Sequence, residues 1–387
     1  MFKIILNTGY CILYTVMRIG IDCRLWDETG VGRYIRNLLT NLSRIDKQNE
    51  YVLFARTQDE NSIKSIVKGQ MSIVRTDARW HGIAEQIRFP RILNEQNLDL
   101  MHFPYFSVPI FYYKPFIVTI HDLIVNKFNT GRASTLPLPL YLVKRIGYHA
   151  VLSNAIYRAK KIIVPSNAVR DDLLRTYRSI DASKVKVTYE GGIDHLLRAT
   201  RHEPIVDGRY ILRVGNFYPH KNVEGLLLAF KDFLYDNYEN HDVKLVLVGK
   251  KDYFLKRIEK QIEKLNIGAN VTFYENTSDD DLIWLYSNAT ATIVPSFSEG
   301  FSLTAVEAML QGSPVIASDI PVHREILGSA AIYCNPNDVN DIKQKINFAC
   351  SLIEESRNEL IAQGKKQAKK FSWSKMARQI LNVYNSI

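Results

Sequence analysis

Short apolar runs alternate with stretches of helical periodicity along most of this chain of 387 residues. Such alternation is typical of parallel β-sheets that helices cover on both faces. The pattern therefore predicts an α/β fold with two doubly wound domains that face a central cleft. The predicted strands are 18–21, 51–54, 72–74, 98–103, 116–120, 161–164, 185–187, 210–214, 244–248, 270–273, 291–295, 314–317 and 331–333. The helical patterns between them include 222–235, 253–265, 279–286 and 303–311.

The domain limits follow from chain length and local composition. A chain of this size usually forms two domains, and the aperiodic stretch around Gly191, Gly192 and Pro204 is typical of a linker. An apolar stripe in the last residues predicts a helix that packs back on the N-terminal domain. The uncharged run near the N-terminus is too short to span a bilayer. The expected order is an extension, an N-terminal domain, a linker, a C-terminal domain and a terminal helix, at 1–16, 17–195, 196–208, 209–371 and 372–387.

Composition narrows the class of protein. Hydrophobic residues make up 46% and charged residues 23% of the chain, which excludes a mostly disordered, collagen-like or coiled-coil protein. The net charge of +10 indicates an anionic partner, such as nucleic acid, a phosphorylated ligand or an acidic membrane. The cysteines have no spacing suited to zinc, so we expect free thiols in a reducing compartment. They are Cys11, Cys23, Cys334 and Cys350.

Two candidate sites follow strands of the first half. Gly30 and Gly32 lie in a glycine loop before a helix that we expect to begin near Arg33, where backbone amides can approach a phosphate. A plain tight turn explains this loop equally well. His121 and Asp122 end a buried strand and put two ionisable groups at the cleft. The alternative is a helix-capping aspartate beside a surface histidine.

Two further candidate sites lie in the second half. The segment from Arg213 through Gly215 and Asn216 to Lys221 leads from a strand into a helix, where the lysine can hold a phosphate. Ordinary helix-entry chemistry also explains this segment. In the other segment, Glu299 and Glu307 lie eight residues apart across a loop and the start of a helix. A buried glutamate in an apolar helix face is costly without a partner, which favours a functional role for Glu307.

The order of these motifs resembles the retaining glycosyltransferases of family 4, which have the GT-B fold. The motifs are the glycine loop, the strand ending in His-Asp, Val-Gly-Asn-x-x-Pro-His-Lys-Asn, and Pro-Ser-x-x-Glu-Gly-Phe followed five residues later by Glu. The Glu-x7-Glu element is the most specific of them. The resemblance extends from about residue 17 to the C-terminal helix and implies two Rossmann-like domains.

The resemblance implies roles for individual residues. Glu307 would hold the ribose of a nucleotide-sugar, Glu299 the hydroxyls of the donor sugar, and His121 would lie beside the reacting carbon or a sugar hydroxyl. Lys221 would neutralise the diphosphate, together with backbone amides of Phe301, Ser302, Leu303, Gly30 and Gly32. Many relatives have arginine at the position of Asn216, so Arg213 or His220 would have to supply the missing charge.

The same resemblance implies retention of configuration by same-face attack, and no cofactor. No metal is physically required, because Lys221 and a helix N-terminus can stabilise the leaving diphosphate. The acidic run Asp279-Asp280-Asp281 is interpreted as a helix start rather than a metal site. The motifs most resemble mannosyltransferases that use GDP-mannose, and UDP-linked sugars stay open.

The acceptor should face the first domain, where basic residues flank the aromatic-rich stretch 103–116. Basic and aromatic side chains together suit a peripheral membrane face, so we expect a saccharide acceptor on a lipid diphosphate and a cytoplasmic protein at the inner membrane surface. The alternative is that the aromatics are core and the charges are solvated. The rival functions are a nucleic-acid-binding protein, which lacks a recognisable motif, a nucleotide-sugar epimerase and an inactive donor-binding protein.

Overall fold

The computed structural model describes residues 2–3, 14–67, 69–78, 80, 82–127, 138–192, 203–236, 241–275 and 277–387. The first half contains β1 (Phe2–Lys3), β2 (Tyr14–Thr15), β3 (Arg18–Asp22), α1 (Gly30–Ile45), β4 (Glu50–Ala55), α2 (Glu60–Ile66), β5 (Met71–Arg75), α3 (Ile83–Asn94), β6 (Leu100–Phe103), β7 (Phe116–Thr119), α4 (Ile124–Lys127), α5 (Leu138–Arg158), β8 (Lys161–Val164), α6 (Asn167–Thr176) and β9 (Val185–Val187). The second half contains β10 (Tyr210–Val214), α7 (Val223–Asp236), β11 (Lys244–Val248), α8 (Tyr253–Leu265), β12 (Val271–Tyr274), α9 (Asp279–Asn288), β13 (Ala291–Val294), α10 (Leu303–Gln311), β14 (Val315–Ser318), α11 (Pro321–Leu327), β15 (Ile332–Cys334), α12 (Val339–Cys350), α13 (Glu354–Ala368) and α14 (Trp373–Tyr384).

Each half forms a parallel sheet with helices packed against it. The N-terminal sheet has the order β5-β4-β3-β6-β7-β8-β9 and the C-terminal sheet the order β12-β11-β10-β13-β14-β15. In both sheets the strand order reverses beside the first strand, and such a switch point opens a crevice at the carboxyl ends of the strands. The predicted α/β fold of two doubly wound, Rossmann-like domains is confirmed.

The strand ends differ slightly from the sequence prediction. Strand β6 begins at Leu100 rather than at residue 98, and the turn before it contains Asn97, which has a left-handed backbone with φ of 49°. In the predicted N-terminal extension, β1 and β2 pair with each other in antiparallel register. Part of that extension, 4–13, and part of the predicted linker, 193–202, lie outside the described residues.

The C-terminal helix crosses back to the N-terminal domain, as predicted. The buried residues of α14 share a core with α1 and with strands β3 and β4. Tyr384 on this helix is fully buried, and its hydroxyl lies 2.7 Å from Nδ1 of His102 on β6. The apolar stripe of the last helix is therefore buried against the N-terminal domain of the same chain.

The aromatic stretch of the N-terminal domain proves to be mostly core. Phe103, Phe106, Tyr112 and Phe116 are buried, so the prediction that this stretch forms a docking surface is wrong for these residues. Packing against the β6–β7 region takes them out of water, and Phe111 and Tyr113 are the strongly exposed aromatic residues among the described positions of the stretch. No described helix has both the length and the apolar composition that a bilayer-spanning helix needs. Cys23, Cys334 and Cys350 are free thiols, and Cys11 lies outside the described residues.

Candidate active site

The loop before α10 presents a helix N-terminus to the space between the domains. Ser302 is the residue before the helix and has a left-handed backbone, with φ of 76° and ψ of 55°. This conformation is unusual for a residue other than glycine and is often found at functional sites. The Oγ atom of Ser302 lies 3.1 Å from Nε2 of the buried His323, and this side chain makes no capping hydrogen bond to the first turn of α10. The open backbone amides there suit an anion.

Glu299 lies in this loop and is held by two donors. The Lys221 ammonium donates to both carboxylate oxygens, at 2.7 and 2.8 Å. The Ser296 hydroxyl donates to the same carboxylate at 2.7 Å. Burial by itself would raise the pKa of Glu299, but the neighbouring ammonium and these hydrogen bonds lower it to about 2. The two donor-binding side chains predicted from separate motifs therefore form one partly buried ion pair.

Glu307 lies on α10 and is almost fully buried. Its carboxylate accepts a hydrogen bond from the Tyr286 hydroxyl at 3.3 Å and forms an ion pair with Arg33 of the N-terminal domain. Burial raises the pKa of Glu307, and the Arg33 guanidinium offsets part of this effect. Arg33 also contacts Asp279 at 2.7 Å, so one cation of the N-terminal domain bridges two carboxylates of the C-terminal domain.

The loop after β10 differs from its predicted role. Arg213 is buried, and its guanidinium donates to the backbone carbonyls of Gly215 and Asn216. It therefore fixes the conformation of this loop, where Gly215 has φ of 124°. Burial lowers the pKa of His220 to about 4, so this side chain does not supply the missing charge. Among the residues that the structure describes, the buried Oδ1 atom of Asn216 finds no hydrogen-bond partner.

His121 and Asp122 lie on the opposite side of the cleft. Nδ1 of His121 is 3.0 Å from the Glu190 carboxylate, and Nε2 is 2.9 Å from the carbonyl oxygen of Pro104. His121 is therefore not a surface histidine, which removes that half of the alternative interpretation. Asp122 accepts the backbone N–H of Ile124 at 2.9 Å, which agrees with a capping role.

The two domains touch at Gly300. A Cβ atom at this position would lie 2.1 Å from the backbone carbonyl oxygen of His121, so only glycine permits the contact. The Ser166 hydroxyl donates to the Gly300 carbonyl at 2.8 Å. The motif Glu-Gly-Phe therefore places Glu299 next to the point where the C-terminal domain touches the strand end that carries His121.

The glycine loop has a different structure from the predicted one. Helix α1 begins at Gly30 rather than near Arg33, because the amides of Gly32 and Arg33 donate to the carbonyls of Glu28 and Thr29. A Cβ atom at Gly32 would lie 2.3 Å from the carbonyl oxygen of Trp26. Gly32 therefore serves close packing and its amide is not available to a phosphate, whereas the space beside Gly30 is open.

The remaining predicted residues belong to the helix starts. The side chain of Phe301 is buried in the C-terminal core, and Leu303 is the first residue of α10. The acidic run forms the first turn of α9 with Ser278 as its cap, as interpreted from the sequence. Within the described residues, no group of three or more histidine, cysteine or acidic side chains could hold a metal ion.

Two residues of the site escaped the sequence analysis. Arg33 directly follows the glycine loop, so its position in the first helical turn could have indicated a role. Glu190 received no role because it begins the aperiodic stretch around Gly191 and Gly192, although it follows a strand and is only 4% exposed. An acidic residue between a strand end and two glycines was the available signal.

A cleft between two Rossmann-like domains, with paired acidic residues beside an open helix N-terminus, is typical of nucleotide-sugar enzymes. Two family models match the chain. Residues 29–194 match "Glycosyltransferase Family 4" and residues 199–367 match "Glycosyl transferases group 1". The chain belongs to the family 4 glycosyltransferases, which have the GT-B fold, and it resembles mannosyltransferases within that family.

Similar proteins include two O-antigen mannosyltransferases. The O-antigen chain mannosyltransferase RfbU of Salmonella typhimurium is 31% identical over 57% of this chain. That alignment also covers 57% of RfbU, so this chain spans little more than half the length of RfbU. The O-antigen chain mannosyltransferase B of Escherichia coli is 27% identical over 92% of this chain and 96% of its own length.

Solved structures share the fold. Sucrose-phosphate synthase from Thermosynechococcus elongatus has a TM-score of 0.76 at 21% identity, covering 96% of this chain and 98% of that one. HepE from Anabaena in complex with UDP-glucose has a TM-score of 0.73 at 16% identity, covering 96% of this chain and all of that one. At these identities the likeness shows the fold alone.

Proposed function

We propose that this protein transfers a sugar from a nucleotide-sugar to a saccharide acceptor in the synthesis of a surface polysaccharide. The observation that carries this proposal is the placement of Glu299 and Glu307 on either side of the open N-terminus of α10. A carboxylate at each end can bind hydroxyl groups of ribose and sugar, while helix amides bind the diphosphate between them. The similarity to O-antigen mannosyltransferases supports the type of product.

The proposed chemistry needs charge stabilised on a departing diphosphate. Lys221 and the first amides of α10 lie on the C-terminal domain beside Glu299, where they can stabilise this charge without a metal ion. Glycosyl transfer passes through an oxocarbenium-like state. The resemblance implies attack on the same face, with the acceptor proton passing to the departing phosphate oxygen and the anomeric configuration retained.

The proposed donor is GDP-mannose, with a UDP-linked sugar as the second candidate. Mannosyltransferases among the similar proteins support the first donor. HepE shares the fold and was crystallised with UDP-glucose, so a UDP-linked sugar is the second candidate donor. Asn216 stands where many relatives have arginine, so Lys221 and the first amides of α10 would have to bind the diphosphate without that charge.

A panel of nucleotides tests the donor. We expect GDP or GDP-mannose to raise the melting temperature more than UDP, ADP, dTDP and their sugars do. Glu307→Ala should abolish the increase, and Glu259→Gln on the exposed face of α8 should preserve it. The absence of a shift with every nucleotide would contradict the proposal.

Transfer itself needs a separate assay. Incubation with donor and lipid-linked saccharide should give a product whose new linkage has the donor's anomeric configuration, with equal rates in the presence of EDTA. Conversion of the free donor without an acceptor would instead indicate an epimerase. An inverted linkage or loss of activity in EDTA would contradict the retaining, metal-independent mechanism.

We also propose that the N-terminal domain contacts an anionic membrane through α5. Leu142, Val143 and Ile146 on this helix are exposed, and Lys144 lies between them. Apolar and basic side chains on one helix favour the interface of an anionic bilayer. Co-sedimentation with vesicles containing anionic lipid should fall in a Leu142→Ser/Ile146→Ser variant. Sedimentation that does not depend on anionic lipid would refute the contact.

A further inference from the structure

The imidazole of His121 faces an acceptor on both sides. Its Nδ1 atom is 3.0 Å from a carboxylate oxygen of Glu190, and its Nε2 atom is 2.9 Å from the backbone carbonyl oxygen of Pro104. A backbone carbonyl only accepts hydrogen bonds, and so does an ionised carboxylate. Both ring nitrogens must then carry a proton, which makes the ring an imidazolium.

We propose that His121 serves the reaction as a fixed imidazolium and that Glu190 is the positioning residue that keeps it protonated. This inference rests on the proposed glycosyl transfer. A ring without a free lone pair cannot accept a proton from the acceptor hydroxyl. Its role is therefore electrostatic: it places a positive charge at the cleft, where negative charge develops on the departing diphosphate.

The position of Glu190 supports a fixed ion pair. This residue follows β9 and is buried. A Cβ atom on the next residue, Gly191, would lie 2.5 Å from the backbone nitrogen of Trp373, and one on Gly192 would lie 2.7 Å from Leu310. Close packing against α14 and α10 therefore holds the segment that carries the carboxylate.

The other groups around His121 fit the same assignment. The ring of Tyr34 on α1 meets it edge to face at 4.9 Å between centroids. The Tyr34 hydroxyl is bound to Thr119, which in turn contacts His102 on β6. Burial lowers the pKa of His102 to about 3, so this second histidine is neutral and contributes no competing charge.

Charges near the ring favour its protonated form. Burial lowers the pKa of His121, but Glu190, the Pro104 carbonyl and Asp122 together raise it above the ordinary histidine value. Across the cleft, Lys221 and Glu299 form their own ion pair beside Asp122. Their charges largely cancel, so Glu190 is the anion that decides the protonation of His121.

Nitrogen NMR of the protein labelled in its histidines tests the protonation state. The signal of His121 is the one that disappears in His121→Gln. We expect both of its ring nitrogens to be protonated in the wild-type protein at pH 6, below the ordinary histidine pKa of 6.5, and one of them to lose its proton in Glu190→Gln. A wild-type ring with one unprotonated nitrogen at this pH would overturn the inference. This measurement does not depend on turnover.

The pH dependence of kcat provides the functional readout. Activity should fall as pH rises through the pKa of His121, and in Glu190→Gln this fall should occur about 1 to 3 pH units lower. The variant should recover activity at low pH and keep its nucleotide-induced thermal shift. Glu259→Gln should follow the wild-type curve. Coincident curves for Glu190→Gln and the wild type would overturn the role of Glu190. If NMR shows both ring nitrogens protonated but no donor supports transfer, the proposed function is wrong and the inference about the His121 ring stands.

Discussion

Arg33 of the N-terminal domain forms an ion pair with Glu307 of the C-terminal domain, across the cleft between them. Glu307 is the residue that we propose to hold the ribose of the donor. If Glu307 binds the ribose as proposed, the guanidinium stands where the ribose hydroxyls would bind, and the donor would have to displace it. Because Arg33 also contacts Asp279, the displaced side chain would still have an ion-pair partner at the edge of the cleft.

Arg33→Ala should change both stability and ligand response. Removal of the cation leaves the buried Glu307 without its ionic partner, which should reduce the free energy of unfolding by about 1–3 kcal/mol. Nucleotide no longer has to displace an arginine, so its stabilising effect should be larger than in the wild type. Thermal melts with and without nucleotide measure both changes.

A matched variant separates this effect from the loss of any arginine. Arg209 forms an exposed ion pair with Asp242, so Arg209→Ala should change stability by about 1 kcal/mol or less and leave the nucleotide response unaltered. In a double-mutant cycle, Glu307→Gln should recover part of the stability lost in Arg33→Ala. A smaller nucleotide response in Arg33→Ala would show that Arg33 assists binding instead of competing with it.

Glu299 should make the free energy of unfolding decrease as the solution becomes acidic. Its pKa is about 2 in the folded protein, below the ordinary value of 4.5. The resulting stabilisation, about 3 kcal/mol, is fully present above pH 4.5 and is lost as pH falls through 2. Urea midpoints at pH 6 and pH 3 should therefore differ more in the wild type than in Glu299→Gln. Equal differences in the two proteins would contradict the lowered pKa.

Lys221 should affect turnover more than donor affinity. Its ammonium forms an ion pair with Glu299 and is proposed to stabilise the leaving diphosphate. Lys221→Ala should lower kcat by about 10²- to 10³-fold, as the loss of one preorganised donor does in other enzymes. Lys221→Arg should recover part of the rate. A change in KM alone would assign Lys221 to uniform binding of the donor.

Gly300 should control the contact between the domains. An alanine there would place its Cβ atom 2.1 Å from the His121 carbonyl oxygen. We expect Gly300→Ala to hold the domains further apart, with a larger radius of gyration by X-ray scattering and a lower kcat. Gly147 on α5 has open space around its Cα, so Gly147→Ala should change neither quantity. An unchanged radius in Gly300→Ala would contradict the tight contact.

Local patterns predicted the strands because buried parallel strands are short, apolar and bounded by turns. Strands 161–164, 185–187, 210–214 and 244–248 agree with the structure at both ends. The Glu-x7-Glu spacing also identified Glu299 and Glu307, since a loop and two helical turns bring such positions to one side of a helix start. The burial of Glu307 was predictable because its neighbours in the helix are apolar.

Other features depend on contacts between segments far apart in sequence. Arg213 resembled a cleft residue, and only the packing of its loop turned the guanidinium onto backbone carbonyls. The aromatic stretch of the N-terminal domain resembled a surface, and sheet packing made most of it core.

The sequence by itself determined the two-domain α/β fold and the acidic pair, because both depend on periodicity and spacing within single segments. The tertiary structure alone decided which charges meet. Arg33 contacts Glu307 only when the two domains have come together, and Glu190 contacts His121 only when β9 has joined its sheet. Electrostatic energies depend on distance and burial in space, and separation along the chain fixes neither of them.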